Sequence, residues 1–105
     1  MLKFDDFAKL EIKIGTITEA ERVPNTDKLL KIIVDVGGEK RQVIGGFGIK
    51  YSPEMLIGKQ AAIVLNIEPA VIRGVESNGI FLAIDAGEPV LLLPEKPVPN
   101  GSKVK

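Results

Sequence analysis

The feature that most constrains this chain is a change of phase in its first extended segment. Leu10, Ile12 and Ile14 alternate with Glu11 and Lys13, the period-2 pattern of a strand with one wet face. Past Gly15 the next apolar residue is Ile17, so the pattern has slipped by one position. A glycine at such a slip is the usual mark of a β-bulge, and a long bulged strand lets a short sheet curl towards closure. The expectation is a barrel with its bulge at Gly15.

The remaining segments supply what a barrel needs. Phe4, Phe7 and Ala8 are spaced for a single helical turn ahead of the first strand. After the turn-forming stretch Val23–Asp27, a second strand places Leu30, Ile32, Val34 and Val36 on one face. Gly37-Gly38 makes a tight hairpin into a third strand, Lys40–Ile44, which Gly45-Gly46-Phe47-Gly48 ends. Ser52, Pro53 and Gly58 delimit one short helix as N-cap, first helical residue and stop. Ala61–Ile67 and Gly79–Ile84 read as strands joined by the connection Glu68–Gly79, and Val90–Leu93 follows a turn at Asp85-Ala86-Gly87. The fold class predicted is all-β with short helices. Its architecture is a five-stranded OB-fold barrel, with a short helix between strands 3 and 4 and extensions at both ends. At 105 residues the chain holds a single domain spanning 1–105.

Ile80–Ile84 and Val90–Leu93 are apolar without alternation, so both faces of each need cover. The barrel interior covers one face. The other calls for the chain's own ends or for a second copy, and so short a chain has little length to spare. A homodimer is expected, with Phe4, Phe7, Leu91, Leu92 and Leu93 at its interface.

The side-chain inventory points away from catalysis. The sequence has no histidine and no cysteine, which excludes Ser-His-Asp, Cys-His and thiolate or imidazole metal sites. Neither glycine cluster matches a phosphate-binding loop or a dinucleotide fingerprint. The chain is read as a non-enzyme with no cofactor and no metal. Its fourteen basic residues balance fourteen acidic ones, so any polyanion must be gripped by a local patch rather than by net charge. Residues Met1 to Lys9 lack the apolar core of a signal peptide, and no run approaches a membrane span, so a cytoplasmic protein without membrane contact is expected.

Four segments then carry a resemblance. Phe7–Gly15 resembles an apolar or acidic lead into a D-[IL]-R-V-G strand, and Pro24–Leu30 resembles the turn H-P-x-A-D-K-L. Tyr51–Lys59 matches Y-x-P-E-x-L-x-G-K, and Asn66–Gly79 matches N-L-x-P-x-K-[ML]-R-G-x-x-S-x-G. In order and spacing the chain resembles the tRNA-binding domain of methionyl-tRNA synthetase C-termini and of free dimeric tRNA-binding proteins, with the CsaA-like chaperones as a related branch. The resemblance implies an OB-fold homodimer that binds tRNA by its structure, with a methionyl-tRNA synthetase as a further partner. The CsaA-like branch offers an alternative, a chaperone or protein-interaction dimer with little RNA affinity.

OB-folds bind through the face of strands 2 and 3 and the loops after strands 1 and 4. The RNA-binding candidates are accordingly Lys28, Lys31, Lys40, Arg41, Asn66, Arg73, Ser77 and Asn78. Arginine grips phosphate bidentately, whereas Asn and Ser can bond a base edge or a 2′-hydroxyl. Plainer roles stand beside these: Asn66 finishing a strand, Ser77 capping its loop, Lys31 and Lys40 simply solvated. Phe47 and Tyr51 are the available stacking platforms. Val71 stands where the family has a lysine, and Glu68 where a basic residue is common, which removes positive charge from the site.

Overall fold

The computed structural model describes all 105 residues. Its elements are α1 (Phe4–Ala8), β1 (Ile12–Arg22), β2 (Leu30–Asp35), β3 (Lys40–Gly45), α2 (Pro53–Leu56), β4 (Gln60–Val64), β5 (Ala70–Ile72), β6 (Val75–Ser77), β7 (Ile80–Phe81), β8 (Ala83–Asp85) and β9 (Pro89–Leu91). Five antiparallel strands form the main sheet in the order β3-β2-β1-β4-β7, and β5-β6 and β8-β9 are separate hairpins. The sheet curls into a nearly closed barrel of the OB type. Leu30, Ile32 and Val34 from β2 meet Ile17, Val43, Leu56 and Ile63 inside it. Gly37 and Gly38 turn the β2–β3 hairpin as expected, both at positive φ, with the Val36 N–H donating to the Glu39 carbonyl at 3.0 Å.

Gly15 is not the bulge. It pairs in register with Ala61 of β4, and the irregularity lies further along, between Ile17 and Glu19, where β1 loses register against β2. The slip in the apolar pattern has another cause: β1 is covered on different faces along its length. Ile12 and Ile14 lie outside the barrel with Ala62 and Val64, whereas Ile17 lies inside it. Gly15 shares the inner side with Ile17. A Cβ there would sit 2.7 Å from Val34 Cγ2 and 2.8 Å from the Asp35 carbonyl oxygen, so a side chain would drive β2 away.

The C-terminal tail covers the outer cluster. Val98 and Val104 pack on it. The tail also bonds the edge of β1 that β2 leaves free: Gly101 N–H donates to Ile14 O (2.7 Å), Ile14 N–H to Ser102 O (2.9 Å) and Val104 N–H to Ile12 O (2.8 Å). Gln60 brackets the backbone of Val98, donating to its carbonyl at 2.7 Å and accepting its N–H at 3.0 Å.

Two segments differ from the sequence expectation. Glu68–Gly79 is not a plain loop, because Ala70–Ile72 and Val75–Ser77 pair as a hairpin. Its turn residues Arg73 and Gly74 have φ of 53° and 79°, the two consecutive positive values of a type I′ turn. Gly79–Ile84 is not one strand either. Phe81 pairs with β4, whereas Ala83–Asp85 pairs with Pro89–Leu91. Phe81 and Leu91 enter the core, so Leu91, expected at a dimer interface, is already buried by the chain itself at 5% exposed. Ile80, Ile84, Val90, Leu92 and Leu93 stay exposed, as do Phe4 and Phe7 on α1, which buries no residue. The chain's own tail covers Ile12 and Ile14 and leaves these apolar side chains bare.

Candidate nucleic-acid interface

The eight RNA-binding candidates divide into three groups. Lys28 and Arg73 converge. The loop after β1 and the tip of the β5–β6 hairpin face each other across a cleft of about 480 Å³, which Lys28 and Arg73 line together with Asp27, Ile49 and Ile72. Neither cation takes part in any of the chain's five ion pairs. Lys31 and Lys40 stand apart on the outer side of β2 and β3, since their neighbours Leu30, Ile32 and Val43 point inward. Lys31 is paired with Glu21 at 2.7 Å, and Lys40 is exposed with no ion pair.

The other four are held by the protein itself. Arg41 is opposite Val34, whose side chain is interior, so the guanidinium turns over the barrel's end rather than joining the lysines. There it bonds Glu39 (3.1 Å), the Leu65 carbonyl (2.9 Å) and the Asn78 carbonyl (3.3 Å). Asn66 accepts the Glu11 N–H at 2.7 Å and donates to the Lys9 carbonyl at 2.6 Å, tying the chain's start to the end of β4. Ser77 is 5% exposed; its hydroxyl accepts the Ile44 N–H at 2.9 Å and donates to Gly79 O at 3.3 Å. Asn78 donates its backbone N–H to Gln42 O (2.8 Å) and its side-chain amide to Glu76 (3.0 Å).

The bonds of Arg41, Ser77 and Asn78 close the barrel between β3 and residues 76–79 and hold the hairpin, with the Gln42 amide adding a bond to Glu76 O at 2.8 Å. Ser77, expected as a possible base or 2′-hydroxyl contact, is enclosed and positions the hairpin that presents Arg73. The aromatic platforms are absent in the same way. Phe47 is buried edge-on between Tyr51 and Phe81, with ring centroids at 5.6 and 5.7 Å, and the Tyr51 hydroxyl accepts the Leu91 N–H.

Sequence reasoning missed Ile49 and Ile72. Ile49 is 71% exposed on the cleft, and its signal was an isoleucine in a glycine-rich break that belongs to no strand. Ile72 was hidden inside a segment read as a loop. Glu68 and Val71, the departures from the family pattern, are both exposed near the hairpin. No group of three or more His, Cys, Asp or Glu side chains is placed to hold a metal, and no helix is long and apolar enough to cross a membrane.

Comparison with known proteins agrees with this architecture. The model of the family described as "Putative tRNA binding domain" matches residues 12–103. A methionine–tRNA ligase of Methanococcus aeolicus is 52% identical over 104 residues, covering 99% of this chain and 16% of the ligase. The ligase of Pyrococcus horikoshii is 49% identical over 105 residues, 14% of its length, so this chain spans only a small part of such relatives. Among solved structures, a MetRS-related protein from Pyrococcus horikoshii superposes with a TM-score of 0.93 at 34% identity, covering 100% of this chain and 98% of that one. The chaperone CsaA of Bacillus anthracis superposes with a TM-score of 0.91 at 35% identity, covering 100% and 99%.

Proposed function

The chain belongs to the tRNA-binding domain family, and from that premise we propose that it binds folded tRNA without catalysis, as a homodimer serving a methionyl-tRNA synthetase in the cytoplasm. One observation carries the reading: Lys28 and Arg73, free of intramolecular ion pairs, face each other across a cleft between the two loops that OB-folds use for oligonucleotides. Net charge of zero rules out a diffuse electrostatic grip, and no exposed aromatic row is present to track unstacked bases. Recognition by shape, with a small number of phosphate contacts, fits both facts. Glu68 and Val71 keep the number of cations low, so the affinity is modest at physiological salt.

The link to a methionyl-tRNA synthetase rests on relatives that are methionine–tRNA ligases, of whose length this chain matches 16% and 14%. The dimer rests on the bare apolar side chains of Ile80, Ile84, Val90, Leu92 and Leu93, which the tail does not cover. Burying such side chains contributes about 25 cal/mol per Å².

Filter binding of unfractionated tRNA at low salt tests the function. The expected outcome is saturable binding that the double variant Lys28→Ala/Arg73→Ala abolishes; wild-type binding no tighter than that of the variant would overturn the reading. Sedimentation tests the dimer, and Leu93→Asp is expected to give monomers of unchanged fold. A wild type that already sediments as a monomer at working concentration refutes it.

A second reading has its own observation. Beside the hairpin base an apolar hollow of about 470 Å³ is lined by Ile44, Ile67, Ala70, Ile80 and Phe81 among others. Together with the similarity to a chaperone, it favours capture of polypeptide. Suppression of aggregation of a denatured substrate, with no tRNA binding, would select this reading.

A further inference from the structure

The cleft between the β1–β2 loop and the hairpin tip combines features that a phosphate contact alone does not require. Its walls are Ile49 and Ile72, isoleucines that the fold leaves in water. Its charged groups are two cations, Lys28 and Arg73, and one carboxylate, Asp27, none of them in an ion pair, with Asn25 and Thr26 as neutral polar lining. Exposed apolar walls flanked by unneutralised cations match a ligand that is itself flat and apolar at one end and anionic at the other. We propose that this cleft holds one unstacked ribonucleotide, its base between Ile49 and Ile72 and its phosphate on Arg73 and Lys28. The proposal rests on the tRNA reading above and names the subsite through which that reading works.

Asp27 decides the orientation. A carboxylate repels phosphate, so the phosphate lies on the Arg73 side and Asp27 accepts from a base N–H or the 2′-hydroxyl. A base inside a duplex has both faces stacked and its edge paired, and so is excluded. The cleft volume, about 480 Å³, falls within the roughly 300–1,000 Å³ of pockets that hold small ligands.

The cleft is also preformed, which reduces the ordering cost of binding. On one side the Val23 N–H bonds Leu29 O (3.0 Å), the Thr26 hydroxyl bonds Val23 O (2.8 Å) and the Gly48 N–H bonds Lys28 O (2.7 Å). Arg22 then holds Gly48 O at 2.9 Å, joining the loop to the segment that carries Ile49. On the other side, Ser77 fixes the hairpin to β3.

The experiment is an amide NMR titration of the full chain with nucleoside 5′-monophosphates, inorganic phosphate and an oligoglutamate peptide, beside filter binding of tRNA. Nucleotides are expected to shift the amides of residues 25–29, 49 and 72–74. Ile49→Ser, at an exposed position that leaves the fold intact, is expected to weaken both nucleotide and tRNA binding about tenfold through loss of an apolar wall. Phosphate shifting the same amides as strongly as the nucleotides would overturn the proposal, because the base then contributes nothing. Stronger shifts by oligoglutamate would overturn it in favour of an acidic polypeptide. If Ile49→Ser leaves tRNA affinity within about twofold of wild type, the nucleotide subsite fails while tRNA binding stands. Nucleotide shifts confined to the cleft with no tRNA binding would uphold the subsite and remove the tRNA function.

Discussion

Arg41 and Arg73 mark two regions of the molecule that are alike in residue type and differ in their surroundings. Around Arg41, at the closed end of the barrel, polar side chains bond to backbone: Arg41 to Leu65 and Asn78, Asn66 to Lys9 and Glu11, Ser77 to Ile44 and Gly79. Around Arg73, at the open cleft, Lys28 and Asp27 have no ion-pair partner and the isoleucines beside them face water. A residue that belongs to a family signature can thus be spent on the fold itself. In the segment Arg73–Gly79, Gly74 makes the turn, Ser77 anchors it, and Arg73 makes no ion pair within the chain.

The comparison breaks most visibly at Ser77. Replacing it by valine leaves the Ile44 N–H without its acceptor inside the protein, at a cost of about 1–3 kcal/mol. For a domain of this size that corresponds to a fall in melting midpoint of ~4–8 °C per kcal/mol. Calorimetry reads it directly, and an unchanged midpoint would show that Ser77 does not hold the hairpin. Arg41→Met should cost less, about 1 kcal/mol, because its guanidinium is partly exposed and water can replace some bonds. Its effect on tRNA binding at fixed fraction folded should be small, and a salt slope lowered as much as by an Arg73 variant would place Arg41 among the contacts.

Arg73→Gly is the sharpest and smallest on stability. The residue sits at φ 53°, where glycine is at ease, so stability should stay within about 0.5 kcal/mol. Meanwhile the slope of log K against log salt should fall by about 1, the loss of one phosphate contact. A stable variant whose salt slope equals that of wild type would remove Arg73 from the binding surface.

A parallel contrast concerns the apolar faces. The outer side of β1 and β4 and the face that the cross-strand partners Ile84 and Val90 share are both apolar in sequence. The first is closed by Val98 and Val104 of the tail, while the second is left open. The apolar runs Ile80–Ile84 and Val90–Leu93 gave an expectation of cover on both faces, and the chain itself leaves Ile80, Ile84, Val90, Leu92 and Leu93 exposed. They carried no information on which partner would supply it, since burial by a tail and burial by a second copy place the same demand on residue type.

Local rules were enough for the barrel. Alternation in β2, the Gly37-Gly38 turn, the Ser52-Pro53 helix start and the order of strands follow from backbone preference and side-chain period, which act over a few residues and are written in them. The phase slip at Gly15 was legible as a fact but not in its cause, because a bulge and a change of covered face leave the same mark on one strand. Only the positions of β2, β4 and the tail separate them. The same holds for the site. Lys28 and Arg73 were recognisable as cations on the two loops that OB-folds use for binding. That Ser77, Asn66 and Arg41 bond the chain's own backbone while Ile49 and Ile72 face outward was settled by contacts between distant segments. Hydrogen-bond partners and exposure are set by residues distant in the chain, and no local pattern records them.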